Sequence, residues 1–335
     1  MSDSDHDGLT AEERLIARHF APIARHPGAL GLVDDCAFYA PPAGEELVLK
    51  TDAIVGTVHF FPEDPADRVA KKALRVNLSD LAAKGATPAG FLLSLALPRG
   101  IEERWLAGFA QGLKEDSAAY QCPLFGGDTV RSPGPVMISV TVFGTVPAGG
   151  MIRRDGARVG DVVMVTGTIG DAVLGLRVRR WDVPESVALA EADAEELVDR
   201  YLLPRPRLAL RTTLRTHAHA AMDVSDGLVG DLAKLCRASG LSAEIAVDRV
   251  PLSQPARAFA AQDHAVLEAM LTGGDDYEIL FTVPPERVAA LQEEAAAAGV
   301  PVAAIGRTTE GAAPPKFVGT DGKPLQFTQT AFSHF

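Results

Sequence analysis

Strand-like and helix-like runs of apolar residues alternate along this chain. Short continuous apolar runs predict strands, whereas apolar residues that recur every three or four positions predict helices. In the first half the pattern predicts strands at 47–51 and 91–97, helices at 66–85 and 102–120, and a β-rich run at 136–146. This alternation is typical of an α/β fold.

A Pro-Ala-Gly-Gly segment at 147–150 is the best candidate for a domain boundary, because proline and glycine interrupt both helices and strands. The alternation then begins again, with a glycine-rich turn at 167–170 that opens a helix at Asp171. The other elements predicted in this half are strands at 162–166, 220–223, 242–247 and 277–283 and helical segments at 191–201, 207–217 and 228–239. The sequence therefore predicts two α/β halves.

Composition narrows the class of protein. The chain has 335 residues and a net charge of -12, which argues against a nucleic-acid-binding or anionic-membrane surface. Its three cysteines lie far apart without a C-x-x-C pair, which favours reduced thiols and a cytoplasmic location. The N-terminus lacks the apolar core of a signal peptide, and the longest apolar run, near 91–98, is too short to cross a bilayer.

Aspartates recur beside glycine or small residues in settings that resemble turns. They stand in the segments Asp34–Ala37, Thr51–Asp52, Asn77–Asp80, Gly126–Thr129, Asp223–Gly227 and Gly273–Glu278. Carboxylates brought together repel one another unless a cation neutralises them, and hard oxygen ligands suit Mg²⁺ rather than zinc. The pattern therefore indicates a site that holds several metal ions and handles phosphate.

Each motif also has a structural interpretation. Ser225 or Asp226 could simply cap the following helix, although Asp223 ends an apolar strand, where a charge needs a partner. The segment Gly126–Thr129 is either a plain turn or the point where a carboxylate emerges at a strand end. His59 lies between apolar residues and is more typical of an interior histidine than of a ligand.

Other nucleotide-binding signatures are absent from the sequence. It has no G-x-x-x-x-G-K-[ST] motif, no G-x-G-x-x-G after a first strand and no protein-kinase catalytic loop. We therefore expect that ATP, if bound, is held by metal ions and glycine turns. Phosphoryl transfer depends on positioning and charge neutralisation, so the lack of a nucleophile signature is no objection.

In order along the chain, these motifs closely resemble the bacterial thiamine-monophosphate kinase family, which belongs to the aminoimidazole ribonucleotide synthetase-like superfamily. The matching segments are Asp34–Ala37, Thr51–Asp52, His59–Phe60, Val76–Ala83, Gly126–Thr129, Val165–Gly167, Asp223–Leu228, Gly273–Glu278 and the terminal His334–Phe335. The resemblance implies an α/β fold of the α+β type. Its N-terminal domain, 1–147, would bind ATP and Mg²⁺ and form the core of a homodimer, and its C-terminal α/β domain, 148–335, would close the active site.

The same resemblance implies transfer of the γ-phosphoryl group of ATP onto thiamine monophosphate, giving thiamine diphosphate and ADP without an acid–base residue. The implied ligands of several Mg²⁺ ions are Asp35, Thr51, Asp52, Asp80, Asp128, Asp223 and Asp226. The implied ATP contacts are Gly127, Asp128, Arg154 and Ser225, and the implied thiamine-phosphate contacts are His59, Asp275 and Phe332.

Three positions depart from the family pattern. Val33 replaces a frequent glycine, Lys50 replaces a small hydroxyl residue, and Asp275 replaces a glutamate. Two alternatives remain open: another ATP-dependent, phosphate-activating member of the superfamily, and a non-catalytic protein that binds thiamine phosphate or nucleotide. The second would have little need for so many mutually repelling carboxylates.

Overall fold

Two separate β-sheets divide the part of the chain that the structure describes. The structure is a computed structural model, and it describes residues 10–183, 189–262 and 264–332. The chain separates into two compact units, the first formed by residues up to Leu78 together with Pro88–Pro147. The second is formed by Ser79–Thr87 and by the chain from Ala148 onward.

The first unit is built on a four-stranded sheet with strand order β1-β4-β2-β3. Its strands are β1 (Glu45–Val55), β2 (Thr87–Leu97), β3 (Leu124–Arg131) and β4 (Met137–Pro147). Strands β1 and β4 pair antiparallel, and β2 and β3 pair parallel. Ile138, Val140 and Val142 are fully buried and alternate along β4 with more exposed residues, as expected of a sheet with one covered face.

Among its described residues, the first unit contains the start of three α-helices: α1 (Ala11–Leu15), α2 (Ala66–Ala83) and α3 (Glu103–Ala119). Helix α2 buries Val69, Ala73 and Val76 at helical spacing, each about 2% exposed. Its residues from Ser79 onward group with the second unit.

The second unit contains a six-stranded sheet with order β10-β7-β9-β5-β8-β6. Its strands are β5 (Val162–Thr166), β6 (Ala220–Val224), β7 (Ser242–Ala246), β8 (Glu278–Val283), β9 (Val302–Thr309) and β10 (Lys316–Val318). Its helices are α4 (Asp171–Arg179), α5 (Glu191–Leu202), α6 (Arg211–His217), α7 (Leu228–Ser239), α8 (Gln254–Gln262), α9 (His264–Thr272) and α10 (Val288–Ala297). Every residue of β5, β6 and β8 is buried, which explains their continuous apolar runs.

The predicted α/β class of the α+β type, with two α/β domains, is confirmed. Two local predictions were wrong. The segment Gly126–Thr129 is neither a turn nor a strand end, because it lies within the continuous strand β3, paired with β2. Thr51–Asp52 lies in the middle of β1, which is longer than the predicted strand.

Among the described residues, no helix combines the length and the apolar character that crossing a bilayer requires. The terminal His334–Phe335 motif lies outside the residues that the structure describes.

Candidate active site

A cavity of about 660 Å³ in the first unit brings together three of the predicted site residues. Asp35 lines it from the loop before β1, and Gly127 and Asp128 line it from β3. Asp35 and Asp128 are both exposed, so their carboxylates remain accessible. The cavity therefore combines the acidic groups and the glycine backbone that the sequence predicts for a phosphate and metal site.

The glycine at 127 is required by strand packing. Parallel pairing sets Gly127 opposite Leu93 and Asp128 opposite Ser94. The backbones are so close that a side chain on Gly127 would overlap the Leu93 carbonyl group. The signal seen in the sequence, a glycine before an aspartate, thus has a physical cause within a strand rather than in a turn.

The side chains of Thr51 and Asp52 lie on opposite faces of the first sheet, because adjacent residues of a strand point to opposite faces. The Thr51 hydroxyl accepts a 2.9 Å hydrogen bond from the hydroxyl of Thr141, which lines the cavity. Asp52 instead forms a 3.2 Å ion pair with Lys50, its neighbour two positions away. Thr51 is therefore linked to the cavity wall, whereas the carboxylate of Asp52 already has a cationic partner on the other face.

His59 follows β1 and is fixed at two points. Its Nδ1 accepts a 3.0 Å hydrogen bond from the Val55 N–H, and its carbonyl oxygen accepts a 3.1 Å hydrogen bond from Lys72 Nζ. Lys72 is only 2% exposed, which is unusual for a lysine. Since Nδ1 acts as the acceptor, a neutral His59 ring carries its proton on Nε2. The sequence interpretation missed Lys72, although a lysine on the apolar face of a predicted helix was an available signal.

In the second unit, the chain bends at Ser225 and Asp226, here called the 225–226 bend. Hydrogen bonds connect these two predicted site residues to two others, Asp275 and Phe332. The bend follows β6, where Asp223 is 5% exposed. The carbonyl oxygen of Ser225 accepts a 2.9 Å hydrogen bond from the Asp275 N–H. The carbonyl oxygen of Asp226 accepts a 3.0 Å hydrogen bond from the Phe332 N–H. Residues distant in the sequence thus meet at two adjacent peptide groups.

The 225–226 bend rests on Asp231, which is fully buried in the first turn of α7. Asp231 Oδ2 accepts hydrogen bonds from the N–H groups of Ser225 at 3.0 Å and Asp226 at 2.9 Å. Lys234 Nζ donates to Asp231 Oδ1 at 2.8 Å and also pairs with the carboxylate of Asp226. Burial raises the pKa of Asp231, with Lys234 acting in the opposite direction. Burial opposes protonation of Lys234, but its hydrogen bonds to Asp226 and Asp231 raise its pKa overall.

The predicted thiamine-phosphate contact Asp275 lies in a strained loop. Asp275 has a φ of 72° and Tyr277 a φ of 50°, both in the left-handed region that non-glycine residues rarely adopt. The Tyr277 hydroxyl donates a 3.3 Å hydrogen bond to Asp275 Oδ1. Such strain persists only where the surrounding structure determines the conformation, and it concentrates at functional sites.

Two buried carboxylates alternate with these strained residues and fix the loop. Asp276 Oδ2 accepts a 2.8 Å hydrogen bond from the Gly170 N–H at the start of α4, and burial raises the pKa of Asp276 well above its usual range. Glu278 is fully buried and pairs with Arg200 at 2.7 Å and with Arg207. A buried carboxylate needs such partners, so both acids have structural roles.

Two further predicted residues are Arg154 and Asp80. Arg154 is exposed, and its carbonyl oxygen accepts a 3.1 Å hydrogen bond from the Ser239 hydroxyl. Asp80 is half-buried near the end of α2.

Across residues 10–183, 189–262 and 264–332, no three histidine, cysteine, aspartate or glutamate side chains form a group that could hold a metal ion. The seven-residue metal site thus stays a prediction, with Asp35, Thr51, Asp52 and Asp128 in the first unit and Asp80, Asp223 and Asp226 in the second.

Two family models match the chain: AIR synthase related protein, N-terminal domain, over residues 33–146, and its C-terminal domain over residues 158–314. The thiamine-monophosphate kinase of Caulobacter vibrioides is 44% identical over 300 residues, which are 88% of this chain and 83% of the relative. That of Salmonella typhimurium is 41% identical over 97% of this chain and 98% of its own length. The chain belongs to the thiamine-monophosphate kinase family.

Solved structures of this family share the fold. Thiamine-monophosphate kinase from Stenotrophomonas maltophilia is 37% identical, covers 95% of this chain and 98% of its own, and gives a TM-score of 0.81. The structure of AaThiL complexed with AMPPCP and TMP is 32% identical and gives a TM-score of 0.77 over 92% of this chain and 97% of its own. The hydrogenase maturation protein HypE from E. coli shares the fold alone, with a TM-score of 0.78 at 20% identity.

Proposed function

We propose that this protein transfers the γ-phosphoryl group of ATP to thiamine monophosphate. A terminal oxygen of the acceptor phosphate attacks the γ-phosphorus, and the bond from that phosphorus to the β–γ bridging oxygen breaks. The products are thiamine diphosphate and ADP. The main support for this proposal is that the chain matches the family over nearly its whole length. One relative of the same fold has been solved in complex with AMPPCP and TMP.

On the nucleotide side, we assign Gly127, Asp128, Arg154 and Ser225 to ATP. The cavity at Gly127 and Asp128 offers backbone close to a carboxylate, and the exposed Arg154 guanidinium suits a phosphate oxygen. Mg²⁺ would be held by Asp35, Thr51, Asp52, Asp80, Asp128, Asp223 and Asp226. This donor set fits the ion because it offers only carboxylate and hydroxyl oxygens. When bound, Mg²⁺ supplies neutralisation of the phosphate charge.

On the acceptor side, we assign His59, Asp275 and Phe332 to thiamine monophosphate. The fixed His59 ring presents Nε2–H as a donor suited to a phosphate oxygen. The carboxylate of Asp275 complements the cationic thiazolium, and the ring of Phe332, which is 49% exposed, offers a stacking surface for a heterocycle.

A second copy of the chain is the proposed protein partner. On β1, Leu47 and Leu49 are 43% and 67% exposed and lie on one face of the strand, because they are two positions apart. Leu92 on β2 is 41% exposed. Exposed apolar patches of this kind mark interaction surfaces, so this sheet supports a homodimer. The cytoplasmic location and the lack of nucleic-acid and membrane partners, expected from composition, remain predictions.

The deciding experiment incubates the purified protein with ATP, Mg²⁺ and thiamine monophosphate and measures thiamine diphosphate and ADP by chromatography. Free thiamine and an aminoimidazole-pathway substrate serve as parallel acceptors. Equal amounts of both products from the monophosphate alone are expected. Binding of ATP with Mg²⁺ but no diphosphate product would instead favour another phosphate-activating member of the superfamily or a binding protein.

A further inference from the structure

All four backbone polar groups of the 225–226 bend are hydrogen-bonded. The two N–H groups donate to one carboxylate oxygen of Asp231, and the two carbonyl oxygens accept from Asp275 and Phe332. The same two residues therefore carry the hydrogen bonds to Asp231 and those to Asp275 and Phe332. Its two side chains lie on the proposed nucleotide side, and its two carbonyl partners lie on the proposed thiamine side.

The loop that contains Asp275 packs closely against the 225–226 bend. A β carbon on Gly274 would lie 2.2 Å from the carbonyl oxygen of Ser225, so the loop before Asp275 approaches the bend directly. Tyr277 adds a 2.9 Å hydrogen bond to the carbonyl oxygen of Val224, immediately before the bend. The strained backbone of Asp275 is therefore held in place by its contact with Ser225.

We propose that Asp231 is a positioning residue that fixes the 225–226 bend and thereby couples the nucleotide contacts to the thiamine-phosphate contacts. This inference rests on the proposed function. Lys234 is part of the same device, since its ammonium bridges the carboxylates of Asp231 and Asp226 and fixes the side chain as well as the backbone of Asp226.

A purely structural role for Asp231 would be to satisfy the two N–H groups of the bend that precedes α7. That role does not require Lys234 to be shared with Asp226. The two roles also differ in what they affect. A purely structural acceptor affects the stability of the fold, whereas a positioning residue affects how strongly one ligand alters the affinity for the other. Such coupling is reciprocal by thermodynamic necessity.

The test compares Asp231→Asn with wild type. The asparagine oxygen still accepts both N–H groups, but its amide NH₂ cannot accept from Lys234. Calorimetry measures the Kd of thiamine monophosphate with and without AMPPCP and Mg²⁺, and steady-state assays measure kcat and each KM. In wild type the analogue should tighten thiamine-phosphate binding by about fivefold or more, the lower end of typical couplings. In D231N that ratio should fall towards one, and kcat should fall about tenfold, the lower end of typical losses when a residue that orients a ligating group is changed.

Lys234→Met should reproduce the loss of coupling, and Lys234→Arg should restore most of it because arginine can bridge both carboxylates. Asp161→Asn is the matched control. Asp161 is also a buried aspartate of the second unit, and it accepts from the Arg158 N–H at 2.9 Å and pairs with His219. If D231N and D161N lower the thermal midpoint similarly while D231N keeps wild-type coupling and kcat, the positioning role is overturned.

Failure of the proposed function gives a different result. Wild-type protein that binds AMPPCP and Mg²⁺ but forms no thiamine diphosphate would overturn the phosphoryl transfer. The positioning role would then be decided by nucleotide affinity, where an unchanged Kd in D231N would overturn it and a weakened Kd would support it. Wild-type protein that binds neither ligand would overturn both proposals.

Discussion

A β carbon on Gly127 would lie 1.7 Å from the carbonyl oxygen of Leu93, the residue it pairs with in the neighbouring strand. Gly126, one position earlier, has its nearest obstacle at 3.6 Å, the Leu92 side chain. The two glycines therefore differ in the space available for a side chain. Gly127 allows strand β3 to pair closely, whereas Gly126 has space for a methyl group.

Gly127→Ala should accordingly destabilise the fold and reduce activity. Overpacking of this kind costs roughly 1–3 kcal/mol and sometimes more, because backbone must move. Thermal unfolding and the kinase assay provide the measurements, with Gly126→Ala as the matched control. Equal stability of the two variants would contradict the close pairing of β3 with β2.

Asp128→Asn and Asp223→Asn should each lower kcat by well over ~10²-fold while preserving the fold, since each removes a charge from a proposed metal-ligand position. Turnover and far-ultraviolet circular dichroism check both parts. Asp67→Asn serves as the control, because Asp67 pairs with Lys71 on the surface of α2. Near-normal turnover in either variant would remove that residue from the metal site.

Lys72→Met should raise the KM for thiamine monophosphate more than the KM for ATP. The substitution keeps most of the side-chain volume but removes the hydrogen bond that fixes the backbone of His59. Lys71→Met is the matched control on the same helix, since Lys71 pairs with Glu115 instead. A KM for thiamine monophosphate that is unchanged in a folded K72M protein would argue against His59 as a substrate contact.

Phe332→Ala should weaken the binding of thiamine monophosphate more than the binding of ATP. The change removes the exposed ring but keeps the backbone N–H that donates to Asp226. Trp181→Ala is a suitable control, because the Trp181 side chain is exposed and lies elsewhere in the chain. Calorimetry with each ligand decides the matter, and equal losses for both would refute the assignment.

Leu49→Glu should convert a dimer into monomers, because it buries a charge in the proposed apolar interface. Size-exclusion chromatography with light scattering measures the mass directly. Val58→Glu, at another exposed apolar residue, should leave the mass unchanged. A wild-type protein that is already monomeric at micromolar concentration would exclude this interface.

Much of the fold follows from local pattern alone. Helices α2 and α7 and the buried strands β5, β6 and β8 have long, strongly periodic or continuous apolar signals. Strand β3 was missed because its two glycines resemble a turn, and only its pairing with β2, a non-local contact, makes the segment extended.

The site was predictable where a motif marks it and not where partners come from elsewhere in the chain. Asp35 and Asp128 were expected together, and one cavity contains both. No local pattern pairs Asp231 with the N–H groups of Ser225 and Asp226; only its spacing, three positions before Lys234 in a largely apolar helix, marks it as a residue with a partner. The roles of Lys72 and Asp231 depend on burial, which only tertiary structure defines.

The way in which Phe332 is attached has a consequence for redesign. Its backbone N–H makes the contact with Asp226, and its side chain is half in solvent. Any replacement except proline keeps that anchor. Position 332 is therefore where a library of side chains would alter preference among thiamine analogues while leaving the frame of the pocket in place.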